Sequence, residues 1–149
     1  MLGKNLLKNV KVQRVNDGEA DAQGTYYSDI LDMQGFEGVL FIAKFEDVDD
    51  TAVLTLSAQQ SETNATGGMS DLSGNATYTS DGGADADDDL LALDLYRPTE
   101  RYVRAKVVVG TADAELESIV AIKYHAKKVP ITQPTTVLDS DTLVSPAES

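Results

Sequence analysis

Four aspartates close together, Asp85, Asp87, Asp88 and Asp89, form the most suggestive local feature of the chain. Alternating carboxylates supply the hard oxygen ligands that Ca²⁺ takes. Asp85, Asp87 and Asp89 are therefore the weak candidate metal ligands. The EF-hand pattern fails in detail: with Asp85 in first place, the glycine position holds Leu90 and the bidentate acid position holds Tyr96. The stretch Asp81-Gly82-Gly83-Ala84-Asp85 matches one calcium β-roll repeat, but it occurs once and such repeats must stack. The simpler expectation is a solvated acidic loop with no metal. Glu46, Asp47, Asp49 and Asp50 form a second acidic turn of the same kind.

Other chemistry finds little support. There is no cysteine, which excludes a disulfide scaffold, a thiolate metal site and a cysteine nucleophile. The single histidine, His125, has no serine nucleophile motif to serve. No phosphate-binding glycine loop occurs, so neither an enzyme nor a cofactor is expected. Arg97, Arg101 and Arg104, with Tyr96 and Tyr102, would suit phosphate or base stacking. The competing expectation is that these guanidinium groups pair with nearby acids and stack on tyrosines. The Asn-Ala-Thr triplets at Asn64 and Asn75 fit a glycosylation pattern, but Asx-type turns explain them as well.

Charge is more telling in its distribution than in its total. The 149 residues carry 12 Lys and Arg against 25 Asp and Glu, a net −13, which argues against nucleic acid as a partner. Residues 1–16 contain Lys4, Lys8, Lys11 and Arg14 and no acid, whereas residues 17–96 contain 18 acids and only Lys44 as a base. Residues 97–128 return to seven bases against four acids. An acidic body with two basic segments suggests contacts between copies or with a larger partner. The candidate contact residues are Lys4, Lys8, Lys11, Arg14, Lys127 and Lys128. No apolar run is long enough to span a membrane, and the basic start lacks the apolar core of a signal peptide.

The elements that must position these residues read as strands. Val10–Val15, Gly38–Phe45, Thr51–Gln59, Leu90–Tyr96 and Arg101–Val109 alternate with period two, and Tyr26–Met33 is a weaker candidate. Gly38–Phe45 is apolar on both faces, with Val39, Phe41, Ala43 and Phe45 on one and Leu40 and Ile42 on the other. That pattern predicts a central strand buried on both sides. In Thr51–Gln59, Leu54, Leu56 and Ala58 face inward and Thr55, Ser57 and Gln59 outward. Ala114–Tyr124 fits a strand with Leu116, Val120, Ile122 and Tyr124 inward, and also fits a helix capped by Thr111. Its β-branched residues favour the strand. The long break 61–89 needs one or two short strands, for example around Ala76–Thr79. Seven to nine short strands with turns between them predict an all-β, antiparallel β-sandwich or barrel over residues 10–128. An N-terminal arm, 1–9, precedes it. Pro130, Pro134 and Pro146 make 129–149 an extended C-terminal tail, lying on a surface or left loose.

Certain segments resemble a known family. Gln34-Gly35-Phe36-Glu37-Gly38-Val39-Leu40-Phe41, then Tyr96-Arg97-Pro98-Thr99-Glu100-Arg101-Tyr102-Val103-Arg104, then Ala126-Lys127-Lys128-Val129-Pro130-Ile131-Thr132-Gln133-Pro134 are similar to segments of small head proteins of tailed bacteriophages. The resemblance covers roughly residues 8–135. These proteins are decoration, or cement, proteins with a jelly-roll fold. The resemblance implies a virion structural protein on the outer surface of the capsid, stabilising the head against DNA pressure. Its partners would be the major capsid protein and copies of itself, as a homodimer or homotrimer. It implies no catalytic residue. The alternative is a carbohydrate-binding or host-adhesion sandwich module of a head or tail fibre, which the absence of Trp disfavours.

Overall fold

A computed structural model describes residues 5–82 and 86–143. Apart from one helical turn, α1 (Leu6–Asn9), and a short 3₁₀ turn at Thr66–Gly68, its regular structure is all strand. The strands are β1 (Lys11–Asn16), β2 (Ala22–Tyr27), β3 (Leu31–Asp32), β4 (Gly38–Val48), β5 (Val53–Ser61), β6 (Ser70–Asp71), β7 (Ala76–Thr79), β8 (Leu90–Tyr96) and β9 (Tyr102–Tyr124). All pairings are antiparallel. The chain is an all-β, jelly-roll-like fold made by one sheet curling on itself. No helix among the described residues is long and apolar enough to cross a membrane.

β9 explains the curl. Twenty-three extended residues would reach about 75 Å, about twice the breadth of a folded chain of this length. The strand therefore bends, at Gly110 and Thr111, where Thr111 takes φ 70°. Its first half pairs with β5 on one side and with β2 and β3 on the other. Its second half pairs with β4 and β1. β4 and β5 turn at the same level, since Val48 lies opposite Ala114 and Val53 opposite Gly110. Two facing layers result. The first holds β2, β3, the start of β9, β5, β6 and β7. The second holds β1, the end of β9, β4 and β8.

Between the layers, Leu54, Leu56, Ala58, Val103, Ala105, Val107 and Val109 meet Val39, Phe41, Ala43, Phe45, Leu116, Ile119 and Ala121, all buried. Burying apolar surface at about 25 cal/mol per Å² drives this closure. No buried side-chain nitrogen or oxygen among the described residues lacks a hydrogen-bond partner.

Several expectations hold closely: β8 has the predicted limits, β7 lies at Ala76–Thr79, and Ala114–Tyr124 is strand, continuous with Tyr102–Val109. Others need correction. The inward residues of the second half of β9 are Ala114, Leu116, Ile119 and Ala121, whereas Val120, Ile122 and Tyr124 are only half-buried. A bulge is responsible: Phe45 pairs with Leu116 but Lys44 with Ser118, so Glu117 is an extra residue. One inserted residue exchanges the two faces of everything beyond it. Gln59, expected outward in solvent, is 7% exposed and holds Arg104 and Asp71. β4 lies between β9 and β8 as predicted, but only one of its faces is covered. Leu40 and Ile42 point away from the core and stay half-exposed.

Of the two outcomes expected for the tail, its described part lies on a surface. Residues 6–9 wind into one helical turn, with Asn9 buried. The tail returns alongside them. The Ile131 amide donates to the Lys8 carbonyl, and the Gln133 side chain bonds Val12 N, Leu7 O and Val10 O at 2.8–2.9 Å. Pro146 lies outside the described residues.

Candidate interaction surface

Because β9 bends in the middle, its two ends return to one end of the molecule. The loops 33–37, 97–101 and 125–128 gather there. Backbone bonds stitch them together: Met33 N to Arg101 O (2.8 Å), Arg97 N to Glu37 O (2.8 Å) and Lys127 N to Gly35 O (2.8 Å). Gly35 at φ 90° makes the turn that brings its carbonyl to Lys127. The Glu37 carboxylate then sits between Arg97 and His125, at 3.8 Å from each. An open groove of about 440 Å³ lies on one side, lined by Phe36, Arg97, Pro98, Arg101 and Lys127 among others. A second, of about 710 Å³, is lined by Leu6, Val10, Tyr124, His125, Lys127 and Lys128.

The arginines follow the simpler of the two expectations. Arg101 donates twice to Asp32, both at 2.8 Å, and lies over Tyr102. This fork holds the Asp32 carboxyl down from 3.8 to about 2. Arg104 donates to Gln59 Oε1 at 2.7 Å and stacks 3.9 Å from the Tyr27 ring centre. Arg97 pairs with Glu37 and covers Tyr96. These groups are committed to the fold, not poised together for a phosphate.

The bend carries the opposite charge. Burial and the charges of Asp49, Asp47 and Asp113 raise the Asp21 carboxyl above its usual range. Glu115 is raised by Glu46 first, then by burial, Asp21, Asp47 and Glu117. So β1–β2, β4–β5 and the middle of β9 crowd their acids into one pole. β4, about 35 Å long, runs from the basic open end to this acidic pole. The sequence shows the two kinds of segment; their separation to opposite ends comes from the curl.

The sequence-predicted contact residues divide. Lys127 and Lys128 stand exposed at the open end. Lys8 is exposed on α1, in a groove shared with the tail. Lys11 faces Lys123 across the strands and adds to what lowers that lysine, whose main cause is burial. Arg14 lies 3.6 Å from Asp17. Lys4 lies outside the described residues. Among the described residues, Lys8, Lys11, Lys127 and Lys128 make no ion pair. Of the acidic loop, Asp85 lies outside the described residues, Asp87 accepts the Val48 amide at 2.9 Å, and the Asp89 carbonyl accepts Phe45 N. Among the described residues no three acids or histidines are arranged to hold a metal.

Sequence reasoning missed one cluster. Tyr96, Gly38 and Tyr124 share one row across β8, β4 and β9, with the two rings parallel at 6.4 Å. His125 meets Tyr124 edge-on at 5.3 Å. A glycine opening a strand between two tyrosines was the available signal, but strand order was needed to read it.

No protein-family model matches the chain, and no curated protein sequence does. Several solved structures are similar to it. The PBSX exported protein XepA superposes with a TM-score of 0.52 at 15% identity, over 99% of this chain and 46% of that one. The chain thus spans less than half the length of that protein. A protein of infectious bursal disease virus, Gt strain, matches at a TM-score of 0.47 and 12% identity over 81% of this chain and 33% of its own. A subunit from Bacillus endospore appendages, described as disulfide-linked pili, matches at 0.44 and 11% over 83% and 95%. At these identities the XepA likeness establishes the fold.

Proposed function

We propose that this chain is a structural protein of a bacteriophage particle, a decoration protein that binds the outer surface of the head as a homo-oligomer. The observation that carries the reading is the charge separation. A basic end bearing Lys127 and Lys128, which form no ion pair among the described residues, stands opposite an acidic pole. Such a module orients itself on an acidic shell: the basic end docks, and the acidic pole faces solvent, where like charges keep particles apart. The motif resemblance supports the same reading, and the XepA fold agrees with it. The work asked of such a protein is adhesion and stiffness, which a bent antiparallel sandwich supplies without a cofactor. Many weak symmetric contacts then add through effective concentration.

The test is co-sedimentation of the full chain with undecorated capsids. Stoichiometric pelleting that weakens with salt is expected, with loss of binding in Lys127→Glu/Lys128→Glu. A chain that stays in the supernatant at low salt overturns the proposal.

One observation favours the alternative, carbohydrate binding: Tyr96 is 52% exposed beside the stacked Tyr124, and sugars stack on such rings. Glycan-array binding abolished by Tyr96→Ala would establish it; an array without hits removes it.

A further inference from the structure

The two layers differ on their outer faces. On the first, polar groups answer one another: Arg104 with Gln59, Lys106 with Asp71, Thr55 with Thr77. The second is apolar in its middle, and its row at Lys44, which pairs with Glu117 and Asp88, is polar. Register places Asp94, Leu40, Ile122 and Val12 in one row and Ala92, Ile42, Val120 and Arg14 in the next. Leu40, Ile42, Val120 and Ile122 fill the middle, and none of the four belongs to the packed core. Leu90 and Tyr96, at 59% and 52% exposure, extend the face along β8.

The ends of those rows differ in sign. The β8 border carries Asp94; the β1 border carries Arg14. A two-fold axis lying in the face and parallel to the strands sets β8 of one copy over β1 of the other. It puts Leu40 over Ile122 and Ile42 over Val120, and brings Asp94 within one row of the partner copy's Arg14, twice. An axis across the strands would instead set acid border on acid border. The face is therefore self-complementary in one orientation, as an isologous interface requires.

Area also points to a second copy. Four strands and about seven residues of length give about 450 Å², short of the roughly 800 Å² per partner of a stable interface. The remainder lies at the β1 border. Gln133 and Thr136 fix the tail there, on the amides of Val12 and Arg14. Further along the tail Leu138 and Leu143 stand 99% and 71% exposed, and the arriving β8 of the second copy brings an edge that no described strand pairs.

We propose that the outer face of β8, β4, β9 and β1 is a two-fold interface between two copies of this chain, centred on Leu40, Ile42, Val120 and Ile122 and oriented by Arg14 and Asp94. This rests on the homo-oligomer part of the function proposed above and names its surface.

Light scattering and sedimentation velocity of the full chain across a concentration series test it. A dimer is expected, with Ile42→Asp monomeric and still folded by circular dichroism. Should Ile42→Asp fail to fold, the charges carry the test. Arg14→Glu and Asp94→Arg should each weaken association at least tenfold, and the double variant should restore it. A monomeric wild type overturns both the interface and the homo-oligomer reading. An oligomer that Ile42→Asp leaves intact, or a double variant no tighter than the singles, overturns the interface alone. Capsid pelleting, measured separately, judges the virion reading.

Discussion

The Tyr124 ring lies directly over Gly38, in space that a side chain at Gly38 would fill. From there it stacks on Tyr96 and donates its hydroxyl to Asp94. Glycine weakens a strand interior; here it makes room for a ring that ties β9 to β8 across β4.

Gly38→Ala should therefore cost about 1–3 kcal/mol, the usual range for overpacking, measured by urea unfolding. Tyr124 supplies a second readout. Burial, and then the Asp94 hydrogen bond and charge, push its hydroxyl well above the usual tyrosine range. The proton is favoured in the folded state, so this stabilisation is complete below about pH 10 and fades as pH rises through the folded value. Ultraviolet titration should show Tyr124 as a late tyrosine, moved earlier by Gly38→Ala and by Asp94→Asn.

Asp32 behaves in the opposite sense. Its carboxyl is held at about 2 by the Arg101 fork and the Gln34 amide. Stability from this pair is present above about pH 4 and is lost as pH falls through about 2. Arg101→Gln should return Asp32 toward its ordinary value by NMR titration and shift acid unfolding to higher pH. An unchanged acid midpoint would mean the pair contributes nothing to the fold.

Thr111 holds φ 70° at the bend of β9, a left-handed conformation that a β-branched residue resists. Thr111→Asn should relieve that strain and raise stability by about 0.5–1 kcal/mol, seen as a higher urea midpoint with unchanged slope. A loss of stability would show that the threonine is fitted to the bend.

Gln133 tests the division into arm, body and tail. Its amide satisfies Val12 N, Leu7 O and Val10 O, so Gln133→Ala should release the tail. Faster exchange at the Val12 amide and cleavage near 131–143 are expected, with global stability falling by no more than about 1–3 kcal/mol. A body spanning 10–128 should then still unfold cooperatively. Complete unfolding in Gln133→Ala would make the tail part of the body.

Much of the fold was legible in the sequence because a strand's period is two and its partners need not be known to see it. β8 and the buried faces of β4, β5 and early β9 follow from alternation alone, and β7 from the length of the break that holds it. So does the all-β class, and so do the basic and acidic segments and the absence of thiol chemistry. Tertiary structure decided the rest. The bulge at Glu117 exchanged Val120 and Ile122 for Ile119 and Ala121, because register belongs to a pair of strands and not to either one. The same exchange set Val120 and Ile122 beside Leu40 and Ile42 on an outer face. The bend at Thr111 gathered Asp21, Asp47, Asp49, Asp113 and Glu115 at one pole, opposite the end that bears Lys127 and Lys128, because a strand longer than the molecule must turn back, and only then do residues distant in sequence share an end.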